Sequence, residues 1–218
     1  MIKLSRKAPT DPGRSHLQAK AARLAALQSA GKDIPAGLKN AYRDVPVKAA
    51  LVEESCGKCG YCESKILDAQ FGDVEHIRPK AQQPALRLDY ENLVLSCTRC
   101  NTSKTVRYDA GEHHIDPYRD DPCTYLLFGG PLIMHSPGGN RLGQVTEHVF
   151  DLNRTDLFES RRERLKAIEA LAAVYADSKA GLQKQLARSA LDDQAGRCGE
   201  YSMTVRAYLR LAFPNDGF

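Results

Sequence analysis

Two pairs of cysteines with the same spacing constrain this chain more than any other feature. Cys59 and Cys62 form one C-x-x-C unit, and Cys97 and Cys100 form a second after 34 intervening residues, 63–96. Zn²⁺ takes four thiolates at the corners of a tetrahedron, and a gap of two residues lets one tight turn present two of them. The spacing therefore predicts a structural zinc site that ties together the two ends of the central segment.

A further cysteine leaves the first pair open to two interpretations. In CGKCGYCES, residues 56–64, the metal could use Cys56 with Cys59 or Cys59 with Cys62, and spacing alone does not choose between them. Clustered cysteines behind an N-terminus that lacks the apolar run of a secretion signal favour metal ligation over disulfides. The isolated Cys123 and Cys198 are expected to be small buried residues.

Composition sets wide limits on function. The chain has 218 residues, and 31 Lys and Arg against 27 Asp and Glu give a net charge of +4, which permits a polyanionic partner without requiring one. No apolar run approaches the roughly 20 residues that a membrane span needs. We therefore expect a cytoplasmic protein with no membrane association.

Apolar periodicity predicts helices at both ends of the chain. A helix is expected over residues 15–30, and a second is expected to begin after Asp44 and to run into Cys56. Three helices are expected in the C-terminal part: one from Thr155, and two around residues 181–194 and 198–211. Residues 110–150 look rich in loops, with QVTEHVF, residues 144–150, as a strand. The predicted division is a helical region at 1–54, a cysteine-framed centre at 55–109, and a loop-rich then helical region at 110–218.

Polar residues between the two cysteine pairs suggest more than a structural segment. Glu75 and His76 lie in a short strand pattern, Asn92 follows a turn, and Asn101 and Lys104 follow the last cysteine. Each has an ordinary explanation alone, as a surface, turn, capping or solvated residue. A zinc ion that pins both ends of the segment would bring all five close together.

The central segments resemble a known motif. CGYCES, DVEHIRPKA, DYENLVLSC and CTRCNTSK are similar to the HNH nuclease motif in its cysteine-framed form, with His76, Asn92 and Asn101 at the motif positions. The resemblance covers about a quarter of the chain. It implies a ββα-metal finger within an α+β, mostly helical protein. The family's C-x-Y-C form also favours Cys59 with Cys62 over Cys56 with Cys59.

Outer segments narrow the resemblance. CESKI, EHIRPK, IDPYRDDPCTYLLF and FDLNRTDLFESRRERL are similar to HNH endonucleases of retron and Septu antiphage systems. That similarity implies a heteromeric complex with an ABC-type, PtuA-like ATPase. Region 1–54, or the face around Arg161, Arg162 and Arg164, is expected to dock the partner.

The resemblance also implies roles for individual residues. His76 is expected to be the general base and Asn92 to fix its local geometry. Glu75 and Asn101 are expected to hold a catalytic Mg²⁺ or Mn²⁺, with Asp73 as a second candidate because it lies on the same strand face as Glu75.

Nearby basic residues are expected to contact nucleic acid. Lys104, Arg78 and Lys80 are the predicted phosphate contacts, on DNA by preference, with RNA left open. The adjacent His113 and His114 are expected to be non-catalytic.

Two other classes of function compete with a nuclease. A zinc-stabilised module that binds nucleic acid or protein would lack nuclease activity, and it has no reason to keep Glu75, His76, Asn92 and Asn101 together. A thiol oxidoreductase would need an exposed C-x-x-C in a βαβ pattern, which the sequence does not show.

Overall fold

The computed structural model describes residues 1–66, 72–107, 112–138 and 141–218. The described helices are α1 (Pro12–Ser29), α2 (Ala36–Lys39), α3 (Val45–Ser55), α4 (Thr98–Arg107), α5 (Pro122–Tyr125), α6 (Arg141–Phe150), α7 (Thr155–Asp177), α8 (Leu182–Ala195) and α9 (Ser202–Ala212). The described strands are β1 (Asp73–His76), β2 (Leu93–Ser96), β3 (Leu126–Gly129) and β4 (Leu132–His135). This confirms the predicted α+β, mostly helical fold. No described helix has the length and apolar character needed to cross a membrane.

The first and third helices pack against each other. The side chain of Asp11 caps α1 by accepting a hydrogen bond from the backbone nitrogen of Gly13 at 2.9 Å. Gly13 is required at the contact, because a Cβ there would lie 2.4 Å from the carbonyl oxygen of Pro46 in α3. Helix α3 begins after Asp44 and ends at Ser55, directly before Cys56, as predicted. Asp44 does not cap it by its side chain, however, since its carboxylate bonds His16 of α1 at 2.8 Å.

A small hairpin and one helix form the predicted ββα unit. Strands β1 and β2 are antiparallel, with Glu75 opposite Val94 and His76 opposite Leu93. Strand β2 is wholly buried and packs under α3. Helix α4 begins at Thr98, between the second pair of cysteines. The unit therefore sets Asp73, at the amino end of β1, beside Asn101 in the first turn of α4, and Glu75 and His76 beside Lys104 one turn later.

The segment QVTEHVF is helical, so the predicted strand is wrong. It lies in α6, where Leu142, Val145, Val149 and Phe150 turn inward. Their spacing of three, seven and eight residues fits one helical face, and the contacts with α4 and β4 select that arrangement over alternation. The strands of this region are instead β3 and β4, paired with Phe128 opposite Ile133.

Hydrophobic packing crosses the predicted regional boundaries. One buried core contains Leu17 from the first region, Tyr61 from the second, and Phe150 and Tyr201 from the third. A second core lies among α7, α8 and α9. The division at 54/55 and 109/110 stays a prediction, and the second boundary lies outside the described residues.

A disulfide corrects the expectation for the isolated cysteines. Cys56 at the end of α3 is bonded to Cys198, with their Cα atoms 5.2 Å apart. Cys198 and Cys123 are both exposed, so the predicted burial of both is wrong. The pairing is invisible in the sequence because 142 positions separate the partners. Arg197, next to Cys198, also holds this segment against the end of α3, because its guanidinium donates to the carbonyl oxygen of Glu54.

Candidate functional site

Four buried cysteines converge at the base of the ββα unit. The sulfur atoms of Cys59, Cys62, Cys97 and Cys100 all lie within 4.8 Å of one another. Those of Cys62 and Cys97 are 3.9 Å apart. Zn–S bonds of about 2.3 Å at tetrahedral angles place sulfurs roughly 3.8 Å apart, so the cluster fits one zinc ion. The structure groups Cys62 with the other three, whereas Cys56 is held in its disulfide.

Polar groups around the cluster suit a negatively charged metal centre. A guanidinium nitrogen of Arg154 donates to the sulfur of Cys100 at 3.7 Å, and the hydroxyl of Ser64 contacts the sulfur of Cys62 at 3.2 Å. Burial lowers the pKa of Arg154, but the negative charges on the sulfurs of Cys100 and Cys62 raise it by more. The pKa of this side chain is therefore raised. Because Zn²⁺ with four thiolates carries a net charge of −2, the guanidinium offsets part of it. Sequence reasoning missed Arg154, which lies 54 positions after Cys100.

A cavity of about 760 Å³ opens beside the zinc cluster, between β1 and the start of α4. Asp73, Glu75 and His76 line it from β1, and Asn101 and Lys104 line it from α4. Asp73 and Glu75 share one face of the strand because they are two residues apart. The ββα unit thus brings together most of the residues that the sequence singled out.

His76 is buried and held in one orientation. His76 is only 2% exposed. Its Nε2 lies 2.9 Å from the carbonyl oxygen of Arg87. A carbonyl oxygen only accepts hydrogen bonds, so Nε2 carries the hydrogen and Nδ1 is the nitrogen that can take a proton. Burial lowers the pKa of His76 to about 4. The imidazole is therefore neutral at pH 7, which is the form that a general base requires.

Asn92 acts on the backbone around His76. Its side-chain oxygen accepts from the backbone nitrogen of Arg78 at 2.8 Å, and its nitrogen donates to the carbonyl oxygens of Arg78 at 3.0 Å and Leu86 at 3.4 Å. These bonds join the chain leaving β1 to the turn that ends at Arg87. Asn92 therefore fixes the carbonyl that orients His76, and it does so through the backbone.

Oxygen donors from β1 and α4 meet in the cavity. The side-chain nitrogen of Asn101 donates to the carboxylate of Asp73 at 3.2 Å, and the carboxylate of Glu75 accepts from Lys104 at 2.8 Å. Two carboxylates and an amide oxygen suit a hard cation such as Mg²⁺ or Mn²⁺. The residues present thus fit a catalytic ion, with Asp73 as well placed as Glu75.

Lys104 lies inside the site, where the sequence suggested a surface contact. It is 2% exposed, and its ammonium group donates to Glu75 and to the carbonyl oxygen of His76. Burial lowers the pKa of Lys104, and the charge of Glu75 opposes that shift. A role in binding phosphate stays a prediction, and the observed contacts are with β1.

The comparison with protein families agrees with this geometry. The HNH endonuclease family model matches residues 59–107, which include all four clustered cysteines and both cavity-lining elements. The chain contains an HNH endonuclease domain. Such a domain indicates a nuclease, an enzyme that hydrolyses phosphodiester bonds.

Two relatives extend the similarity beyond the HNH domain. The chain is 32% identical over 159 residues to Septu protein PtuB of Bacillus mycoides (strain KBAB4), which covers 59% of this chain and 54% of the relative. It is 33% identical over 111 residues to Septu protein PtuB of Bacillus thuringiensis, covering 50% and 42%. The chain thus spans about half the length of the curated relatives it matches.

Other predicted residues lie around the HNH domain in different settings. Lys80 lines the cavity, whereas Arg78 lines a separate depression with His113. His114 is buried, with Nε2 2.9 Å from the carbonyl oxygen of Ile77, and burial lowers its pKa to about 3. The expected non-catalytic role of His113 and His114 stays a prediction. Arg161 is fully buried and donates to the carbonyl oxygen of Pro131 at 3.0 Å, so it cannot belong to an exposed docking face.

Proposed function

We propose that this chain is a metal-dependent endonuclease that cuts nucleic acid, DNA by preference, as the nuclease subunit of an antiphage defence complex with an ABC-type ATPase. One observation carries the enzymatic part. A buried neutral imidazole, two carboxylates and an amide line a single cavity of the HNH domain.

The residues divide the work of hydrolysis. His76 takes a proton from the attacking water at Nδ1, and the carbonyl oxygen of Arg87 supports the resulting positive ring at Nε2. Asp73, Glu75 and Asn101 hold a divalent cation. When bound, Mg²⁺ or Mn²⁺ supplies charge stabilisation to the phosphate and to the leaving 3′-oxygen. Zn²⁺ at the four cysteines has a structural task, because thiolates fill all of its positions.

The state of His76 and the carboxylates beside it favour a catalytic site over a module that only binds nucleic acid or protein. Burying the imidazole of His76 in this position is unfavourable for its charged form, so the site keeps the ring neutral and oriented toward a polar cavity. A module that only binds phosphate would gain from a protonated histidine and would lose from two carboxylates beside it.

The defence and partner assignments rest on similarity. The chain matches about half of the length of two relatives named Septu protein PtuB, and both matches are longer than the HNH domain. We propose a PtuA-like ATPase as the partner. Co-purification of the two proteins after co-expression tests this part separately from nuclease activity.

The dependence on divalent cations tests the proposed site. We expect wild-type protein to nick plasmid DNA in Mg²⁺ or Mn²⁺ and to stop when EDTA removes the ion. Glu75→Gln removes one ligand charge and should weaken activation by Mn²⁺ by about 10-fold or more. The measurements are the nicking rate against Mn²⁺ concentration and direct Mn²⁺ binding.

Glu169→Gln on the exposed face of α7 is the matched control and should behave as wild type. Equal activation of Glu75→Gln and wild type would exclude Glu75 as a ligand. Transfer RNA is assayed in parallel with plasmid DNA. Tight nucleic-acid binding without cleavage of either, with the ATPase present, would favour the zinc-stabilised binding module.

The pH dependence tests the neutral state of His76. A pKa lowered to about 4 means that the ring stays unprotonated, and able to accept a proton, throughout the neutral range and down to about pH 5. We expect the single-turnover cleavage rate to be unaffected by this group above about pH 5 and to fall, through protonation of His76, only as the pH approaches 4. Half-maximal loss near pH 6.5, the ordinary value for histidine, would contradict this environment.

A further inference from the structure

A tyrosine from outside the HNH domain contacts the proposed base. Tyr42 lies in a short turn, Ala41–Arg43, between α2 and α3, and it is 1% exposed. Its ring meets the ring of His76 edge to face, with centroids 4.5 Å apart. Its hydroxyl accepts a hydrogen bond from Nζ of Lys80 at 2.6 Å. Tyr42 therefore touches the HNH domain on both sides of residues 77–79.

Two more residues of the same segment line the cavity. Arg43 follows Tyr42, Lys48 lies in the first turns of α3, and both line the cavity that Asp73 and Glu75 also line. The guanidinium of Arg43 lies 5.3 Å and Nζ of Lys80 lies 4.6 Å from the centre of the Tyr42 ring. Arg43, Lys48 and Lys80 thus form a basic wall.

The positive charges of the basic wall are available to bind an anionic ligand. Within the described part of the chain, none of its three members forms an ion pair with a carboxylate, although fourteen other amino and guanidinium groups there do. Arg43 is exposed, and Lys48 and Lys80 are half-buried. Like charges gathered at a cavity are stabilised when an anion enters between them.

The chemistry of the cavity identifies that anion. The carboxylates of β1 suit a divalent cation, and the cations of the basic wall suit the oxygens of phosphate groups. A strand of nucleic acid presents phosphates at short regular intervals, so one phosphate can lie at the metal side while its neighbours lie against the basic wall. Contacts of this kind position the backbone and carry no sequence information.

We propose that Arg43, Lys48 and Lys80 bind backbone phosphates of the nucleic-acid strand that is cut, and that Tyr42 is a positioning residue that holds Lys80 and the His76 ring for this contact. The proposal rests on the proposed function, which it deepens. It makes residues 42–48 part of the nuclease site, although they precede the HNH domain at 59–107.

Binding without cleavage tests the basic wall. Fluorescence anisotropy with a labelled DNA duplex in EDTA measures affinity while nothing is cut. Arg43→Gln/Lys48→Gln should bind about 10-fold or more weakly at low salt. The slope of log affinity against log salt should fall by about 1.8, because each lost phosphate contact on duplex DNA removes about 0.9.

The matched control removes the same charge elsewhere. Lys166→Gln/Lys179→Gln changes two exposed lysines of α7 and the loop after it, neither of which is among the described residues lining the cavity. It should keep the wild-type salt slope. Zinc content and melting temperature confirm that both double variants fold. A wild-type slope in Arg43→Gln/Lys48→Gln would overturn the basic wall.

A double-mutant cycle tests the role of Tyr42. Tyr42→Phe keeps the ring against His76 and removes only the hydrogen bond to Lys80, so affinity should fall by about 2- to 10-fold. The same change should have no effect in a Lys80→Gln background, because its partner is already absent. Equal losses in both backgrounds would show that Tyr42 does not act through Lys80.

The outcome for the basic wall is independent of the outcome for catalysis. A wild-type protein that cuts nothing even with the ATPase present, together with a reduced salt slope in Arg43→Gln/Lys48→Gln, would support phosphate binding and remove the proposed nuclease function. A wild-type protein that cuts, together with an unchanged slope, would keep the nuclease and overturn the basic wall.

Discussion

Replacement of His76 by alanine is expected to lower the rate of phosphodiester cleavage by about 100-fold or more, because a positioned general base contributes at least that much. Nδ1 of His76 is the proton acceptor that the geometry leaves available once Nε2 has donated to the carbonyl oxygen of Arg87. The nearby Glu75 and Lys104 bond each other, so neither replaces the lost imidazole. The measurement is single-turnover cleavage at saturating protein and Mn²⁺.

Control variants and measurements distinguish loss of the general base from unfolding of the protein. His148→Ala, at an exposed position of α6, should cut at the wild-type rate. His76→Ala should keep its zinc, because the four clustered cysteines are unchanged, and its affinity for DNA in EDTA, because Arg43, Lys48 and the bond between Tyr42 and Lys80 are retained. A His76→Ala protein that cuts as fast as wild type would contradict the assignment of the base.

Loss of one clustered cysteine is expected to have the largest effect on stability. Cys97→Ser should remove the zinc and with it a folding contribution on the order of 10 kcal/mol, which exceeds the margin of many domains. The reason is geometric, because Cys97 and Cys100 tie the start of α4 to the turn at Cys59 and Cys62. Zinc per chain and thermal unfolding are the measurements.

A second cysteine variant provides the matched comparison. Cys56→Ser changes the same atoms three residues before Cys59, but Cys56 bonds Cys198 outside the cluster, so one zinc per chain should remain. Cys123→Ser, at an exposed position, should also leave the zinc in place. Loss of zinc from Cys56→Ser, or its retention in Cys97→Ser, would reverse the assignment of ligands.

The two classes of metal should also separate under chelation. EDTA at a concentration that removes a loosely held Mg²⁺ or Mn²⁺ should stop cleavage while the fold persists. Four buried thiolates hold their ion more firmly, so only stronger or longer chelation should unfold the protein.

The sequence predicts those parts of the site whose signals are local. Two C-x-x-C units give the zinc cluster because ligand spacing reflects the geometry of a turn, and short β-prone runs give the strands that carry Glu75 and His76. Their pairing in a hairpin is what the resemblance to the HNH motif implies. The long helices α1 and α7 follow from repeated apolar positions. These features need no knowledge of distant partners.

Other parts of the site depend on contacts that leave no local pattern. The group that orients His76 is the backbone carbonyl of Arg87, and any residue type supplies a carbonyl. Tyr42 reaches the ring of His76 across 33 intervening residues, 43–75. In α6, Val145 and Val149 fit both a strand and a helix, and only packing against α4 and β4 decides between them.

The shared core has a consequence for how this protein is made. The ring of Phe150 stacks on Tyr61 beside the zinc ligands, with centroids 3.8 Å apart, and the hydroxyl of Tyr201 bonds Ser64 at 2.9 Å. Phe150 and Tyr201 follow residues 59–107 in the chain, so they are translated after the HNH domain. Until they are made, the HNH domain lacks the side chains that pack on Tyr61 and bond Ser64. The HNH domain therefore completes its core only with residues that are synthesised after it.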